Sequence, residues 1–178
     1  TLLIANRGEI AIRIARTAAE LGIRTVSVFS ADDRESLHRT SADAEIEIPG
    51  EGPAAYLDAA ALLQAAQDCG ADSIHPGYGF LAENAEFARQ VAASGRCFVG
   101  PSPAVLDLFG DKSAARAFAV SLGVPVMRGT QNGISLEDAK GFFADLGGAS
   151  MMLKASAGGG GRGVRVVRNV EQLEAAFK

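Results

Sequence analysis

Short apolar runs alternate with segments of helical period along the first 100 residues, and this alternation constrains the fold more than any other feature. Leu2-Leu3-Ile4-Ala5 is an apolar run of strand length that stops at Asn6-Arg7-Gly8. Ile10, Ile14, Ala18 and Leu21 then recur at helical spacing until Gly22 ends the segment. Thr25 to Phe29 is β-branched and apolar, Ile46 and Ile48 mark a third strand, and Ser73-Ile74-His75 and Cys97-Phe98-Val99 mark two more. Helical patterns fall between them over Tyr56 to Ala66 and Ala85 to Ala93. Strands separated by helices imply βαβ units, hence a parallel sheet with helices on both faces, a Rossmann-like α/β layer.

The rhythm changes after Pro101. Val105 to Leu122 is a long helical stretch interrupted near Gly110, and residues 129 to 134 form a polar joint. Ser135 caps a helix that runs to Leu146, with Glu137 and Asp138 in its first turn, where the helix dipole favours acids. Met151-Met152-Leu153 and Val164 to Val167 are strands around a glycine-rich stretch, and Val170 starts a last helix. A lone hairpin with one or two helices buries little surface by itself, so this second unit reads as cut off. The boundaries predicted are 1–100 for the Rossmann-like domain, 101–128 for a helical linker and 129–178 for the second unit.

Composition removes several function classes. Hydrophobic residues make up 48% of the 178 residues, enough for a sizeable core. Seventeen basic against 21 acidic residues leave a net charge of −4, which argues against a protein that neutralises nucleic-acid phosphates. No apolar run spans a bilayer and no signal peptide is present, so no membrane partner is expected and the compartment predicted is cytoplasmic. The chain begins at Thr1, and its natural N-terminus is expected to lie upstream. Cys69, Cys97, His38 and His75 show no zinc spacing, and the cysteines read as buried reduced thiols.

The strongest local signal is Lys154-Ala155-Ser156-Ala157 followed by Gly158 to Gly161, Arg162 and Gly163. It satisfies G-x-G-x-x-G formally, but strand material follows where a dinucleotide fingerprint needs a helix. A glycine-rich loop between antiparallel strands instead lays backbone N–H groups over phosphates, with Lys154 adding a compact positive charge. The alternative is a flexible surface hairpin. Asn6-Arg7-Gly8-Glu9 and the block from His75 to Asn84 both leave carboxyl ends of strands, where ligands of open α/β sheets bind. Asp32 and Asp33 follow the second strand, but a nicotinamide site lacks its glycines, and one of these acids is expected to cap the next helix. Arg16 and Glu20, four apart on one helix, read as a surface ion pair.

Taken in order, Ile4 to Ala11, His75 to Asn84, Gly100-Pro101, Gly110-Asp111-Lys112 and Lys154 to Gly163 resemble biotin carboxylase over nearly the whole chain. The resemblance implies a pre-ATP-grasp domain followed by a truncated ATP-grasp lid. It also implies a ligase reaction in the complete protein: MgATP activates bicarbonate as carboxyphosphate, which carboxylates biotin held on a carrier domain. Lys112 and Lys154 match family lysines that contact ATP, and Gly160 and Gly161 match the loop that closes over its phosphates. Tyr78 and Gly79 match positions at the biotin end, and Arg16 and Glu20 match positions of a homodimer interface. The partners implied are a biotin carboxyl carrier domain and a carboxyltransferase domain or subunit. ATP, Mg²⁺ and biotin belong to the complete enzyme, and none is expected to be needed for folding of this portion. Gly148-Ala149-Ser150-Met151 stands where the family usually has Gly-Tyr-Pro-Val. The family's metal-holding carboxylates, bicarbonate-binding residues and base lie downstream, so no catalytic or metal-ligating residue is expected here and the fragment is expected to be inactive. The alternative is a non-catalytic module for dimerisation or carrier docking.

Overall fold

The computed structural model describes residues 1–130, 133–154 and 163–177, which divide into two compact units, Thr1–Asp111 and Lys112–Lys178. The first unit is a five-stranded parallel sheet in the order β3-β2-β1-β4-β5, built from β1 (Leu2–Ile4), β2 (Thr25–Phe29), β3 (Ala44–Glu47), β4 (Ser73–His75) and β5 (Cys97–Phe98). The central strand β1 pairs with β2 and β4 in matching register, Leu3 lying beside Val26 and Ile74. Its connections carry α1 (Gly8–Glu20), α2 (Gly52–Ala55), α3 (Ala59–Asp68) and α4 (Ala85–Ala93), and α5 (Pro103–Gly110) follows β5.

Strand periodicity puts helices on both faces of the sheet. Leu3 and Ala5 point into the large core with Leu62 and Ala66 of α3 and Phe87 and Val91 of α4. Ile4, between them, points the other way and packs on Ala11 and Ala15 of α1. The edge strand β3 alternates instead, with Glu45 paired to Arg39 and Glu47 to Arg34 on its outer side.

Most expected elements form within a residue or two of their boundaries, but one helix does not. The stretch Tyr56 to Ala66 is broken, because the Asp58 carboxylate accepts the Ala61 amide at 3.0 Å and starts α3 anew. Tyr56 lies in the break and is fully buried. The cysteines also depart from expectation: Cys69 is half-buried, and Cys97, on the two-residue edge strand β5, is exposed. Arg16 and Glu20 are both exposed on α1 and no ion pair joins them.

The second unit contains α6 (Lys112–Ser121), α7 (Leu136–Asp145), an antiparallel pair of β6 (Met151–Lys154) and β7 (Val164–Val167), and α8 (Val170–Phe177). Ser135 and Asp138 cap α7 reciprocally, each side chain taking the other's backbone N–H at 3.0–3.1 Å. Ala139, Met151, Val167 and Leu173 form its buried core. An antiparallel hairpin packed against α7 and α8 agrees with the expected beginning of an ATP-grasp lid. The two units meet between Asp111 and Lys112, inside the stretch read as a helical linker, and α5 packs on α4 within the first. Among the described residues no helix is long and apolar enough to cross a membrane.

Candidate functional site

The carboxyl ends of β1 and β4 lie side by side, and the strand order reverses there, with β2 and β3 on one side and β5 on the other. Loops leaving such a switch point form a crevice. Here the crevice is bridged by the chain's own side chains. Asn6, 3% exposed, donates from Nδ2 to the carbonyls of Pro76 at 2.7 Å and Tyr78 at 2.9 Å. Its Oδ1 accepts the Arg7 amide at 2.8 Å. Gly8 follows in the left-handed region, φ +62°, and turns the chain into α1.

Gly77 is required by that bridge. Its φ is +67°, and a Cβ there would lie 2.6 Å from both Asn6 Nδ2 and Ile10 Cγ2. Its N–H donates to His75 Nδ1 at 3.0 Å, so this ring nitrogen carries no proton, and burial holds the imidazole pKa below its ordinary value. Tyr78 then stands 62% exposed, and its hydroxyl donates to Glu9 Oε1 in the first turn of α1 at 2.6 Å. That bond to a carboxylate raises the phenol pKa. Gly79 is exposed next to it, and Phe80 is held at φ +40° with its ring packed on Tyr56, centroids 5.4 Å apart. Asn84 caps α4 by accepting the Phe87 amide at 2.8 Å. Tyr78, His75 and Gly77 also line a cavity of about 590 Å³ with Ile10, Arg13 and Ile14 of α1.

A second cluster sits beside it, after β1 and β2. Arg7 forms a two-pronged ion pair with Asp33, which is 2% exposed. The Tyr56 hydroxyl and the Ser36 hydroxyl each donate to the same carboxylate at 2.7 Å. The Arg7 bonds hold the Asp33 pKa well below the usual carboxylate range, against the opposing effect of burial. Neither acid is the N-cap of a following helix: Glu51 holds that place for α2, and Asp32 accepts the Gly52 amide at 2.9 Å from 20 residues upstream. Asp33 is an ion-pair partner instead. Sequence reading missed the pair, although Arg7 and Asp33 follow neighbouring parallel strands and so come together at one edge of the sheet.

In the second unit Lys154 ends β6 opposite Val164 and is exposed, and Lys112 is the first residue of α6. Gly160 and Gly161 lie outside the described residues. Arg16 and Glu20 lie along α1, away from both loops in sequence. Among the described residues no group of three or more His, Cys, Asp or Glu side chains is placed to hold a metal ion.

Residues 1–106 match the sequence pattern of the biotin carboxylase N-terminal domain. The chain belongs to this family. Residues 111–178 match the ATP binding domain of the carbamoyl-phosphate synthase L chain, so a nucleotide-binding pattern begins where the second compact unit does. Pyruvate carboxylase of Schizosaccharomyces pombe is 48% identical over 182 residues, covering 99% of this chain and 15% of that protein. Biotin carboxylase of Halalkalibacterium halodurans is 48% identical over 178 residues, covering 99% of this chain and 39% of the relative. The biotin carboxylase domain dimer of Hydrogenobacter thermophilus 2-oxoglutarate carboxylase, solved with MgADP, ADP and bicarbonate, superposes with a TM-score of 0.90. It is 42% identical and is covered over 40% of its length by 99% of this chain. The chain thus spans well under half of these biotin carboxylase relatives and corresponds to the N-terminal portion of their carboxylase domains.

Proposed function

We propose that this chain supplies the N-terminal part of an ATP-dependent biotin carboxylase, which carboxylates biotin with bicarbonate through carboxyphosphate in the complete protein. The observation that carries the reading is the succession of two units. A parallel sheet whose switch-point loops are fixed by Asn6 and Glu9 is followed by a hairpin with an exposed lysine before a glycine run. The donor set suits a polyphosphate, since Lys154 at the end of β6 and Lys112 at the start of α6 offer compact positive charge. Gly160 and Gly161 would add backbone N–H groups to the same phosphates. ATP bound there supplies the activating phosphoryl group. Among the described residues no acidic cluster is placed to hold Mg²⁺, so its ligands would come from the rest of the complete protein.

Tyr78 and Gly79 would meet biotin, presented by a carrier domain and passed to a carboxyltransferase domain or subunit, in a cytoplasmic enzyme. The proposed division is 1–100 for the Rossmann-like domain, 101–128 for a helical connection and 129–178 for the beginning of the lid. Biotin-dependent ADP release tests the reading: the natural gene product is expected to turn over and the 178-residue chain to be silent. Lys154→Ala in the natural product is expected to cut kcat/KM for ATP by about a hundredfold. Turnover by the short chain would refute its incompleteness, and an inactive natural product would refute the family activity.

A second reading is favoured by one observation, that Arg16 and Glu20 are exposed on α1 without joining each other. Their spacing suits reciprocal pairing across a two-fold axis, so the chain would also serve as a dimerisation module. Arg16→Glu is then expected to weaken self-association in analytical ultracentrifugation, and an unchanged dimer constant would end this reading.

A further inference from the structure

Tyr78 is fixed in an unusual way for an exposed aromatic residue. With 62% of its surface open, it gains little from burial, yet both of its ends are held. At the backbone end, Asn6 Nδ2 donates to the Tyr78 carbonyl at 2.9 Å and to the Pro76 carbonyl two residues earlier at 2.7 Å. At the hydroxyl end, Glu9 Oε1 accepts at 2.6 Å. Asn6 and Glu9 flank the Gly8 turn, so the strand-to-helix corner after β1 reaches across to the corner after β4 from both sides. Gly77 leaves no slack, because the space its Cβ would take is already filled by Asn6 and Ile10. Phe80, in the left-handed region at φ +40°, is pinned against Tyr56 on the far side of the loop. An exposed hydrogen bond does little for stability. A strained, doubly tethered loop that presents one flat ring to solvent is instead how a preorganised binding arm is built.

We infer that Asn6 and Glu9 are positioning residues that act through Tyr78, holding its ring and hydroxyl in one orientation against the acceptor substrate. The inference rests on the proposed function, in which Tyr78 stands at the biotin end. It adds to that reading a support made entirely from the corner after β1. A ring held before the substrate arrives spares the rotamer ordering that binding would otherwise require, so the effect belongs in affinity for the acceptor and not in handling of ATP.

The test uses the natural gene product with free biotin, bicarbonate and MgATP. Glu9→Ala, a surface change, is expected to raise the KM for biotin by about fivefold and leave the KM for ATP within about twofold. Glu9→Gln keeps an acceptor for the hydroxyl and is expected to restore most of that loss. Asn6→Asp keeps the size and the Oδ1 acceptor but removes both N–H donors, and is expected to raise the biotin KM by about tenfold or more. A readout independent of turnover is the ¹³Cζ resonance of Tyr78 in tyrosine-labelled protein, assigned by its loss in Tyr78→Phe. Its titration is expected to move to lower pH in Glu9→Ala. Biotin KM unmoved in both Glu9→Ala and Asn6→Asp, or biotin and ATP KM rising in proportion, overturns the inference while the carboxylase reading stands. Absence of biotin-dependent turnover in the unsubstituted protein overturns the functional reading, and the inference with it.

Discussion

The Asp33 carboxylate collects two guanidinium N–H groups of Arg7 and the hydroxyls of Tyr56 and Ser36 at the edge of the sheet, with the Ser30 hydroxyl farther off at 3.5 Å. Removing one member of such a buried set strands the others, and this costs more than the pair contributes relative to an apolar replacement. Asp33→Ala is therefore expected to destabilise the first unit by about 3 kcal/mol, read from urea unfolding at neutral pH. The shift of Asp33 is downward, so its contribution is complete above the ordinary carboxylate pKa of about 4 and is lost progressively as pH falls from there toward the lowered folded-state value. His38 acts at higher pH. It is buried, its Nε2 lies 3.2 Å from the Val28 carbonyl, and its Nδ1 meets no partner among the described residues. Burial lowers the pKa of His38, as it does that of His75. The unfolded chain then takes up protons below about pH 6.5 that the folded chain refuses, so stability is full above that pH and declines as pH falls through it. Denaturant midpoints measured from pH 7.5 to 5 are expected to show this decline, and His38→Leu is expected to flatten much of it.

Elements here owe their ends to side chains more than to propensity. The reciprocal cap of Ser135 and Asp138 starts α7, so Ser135→Ala is expected to cost the second unit about 1 kcal/mol, checked by thermal unfolding. The corner after β4 depends on an absent side chain. Gly77→Ala brings a Cβ to 2.6 Å from Asn6 and Ile10 and imposes a left-handed φ on a residue that avoids it. The expected cost is about 2 kcal/mol, read from urea unfolding, together with faster amide exchange at Tyr78 as the corner opens.

The large core and the core of the second unit share no residue, the first running from Leu3 to Phe98 and the second from Ile134 to Phe177. A parallel sheet covered on both faces buries enough apolar surface to fold by itself, whereas a two-stranded sheet with short helices does not. Residues Thr1–Asp111 expressed alone are expected to unfold in one cooperative urea transition, and Lys112–Lys178 alone is expected to show no cooperative transition by circular dichroism. A cooperative transition in the second piece would mean that its small core suffices.

The sequence by itself determined the strand and helix alternation, the parallel sheet, the cap at Ser135 and the order of motifs that marks the family. These are local matters: period, turn chemistry and capping act over a few residues and are written in neighbouring positions. It also pointed to Asn6-Arg7-Gly8-Glu9 and His75 to Asn84 as loops at strand ends. Only the tertiary structure decided what those loops do to each other. Arg7 meets Asp33, Asn6 grips the Pro76 and Tyr78 carbonyls, and Glu9 holds the Tyr78 hydroxyl because β2, β1 and β4 are neighbours in the sheet, across separations of 26 to 72 residues. The burial of Tyr56 and the exposure of Cys97 belong with these, since burial depends on which elements come to cover a position, and periodicity along one segment carries no record of that.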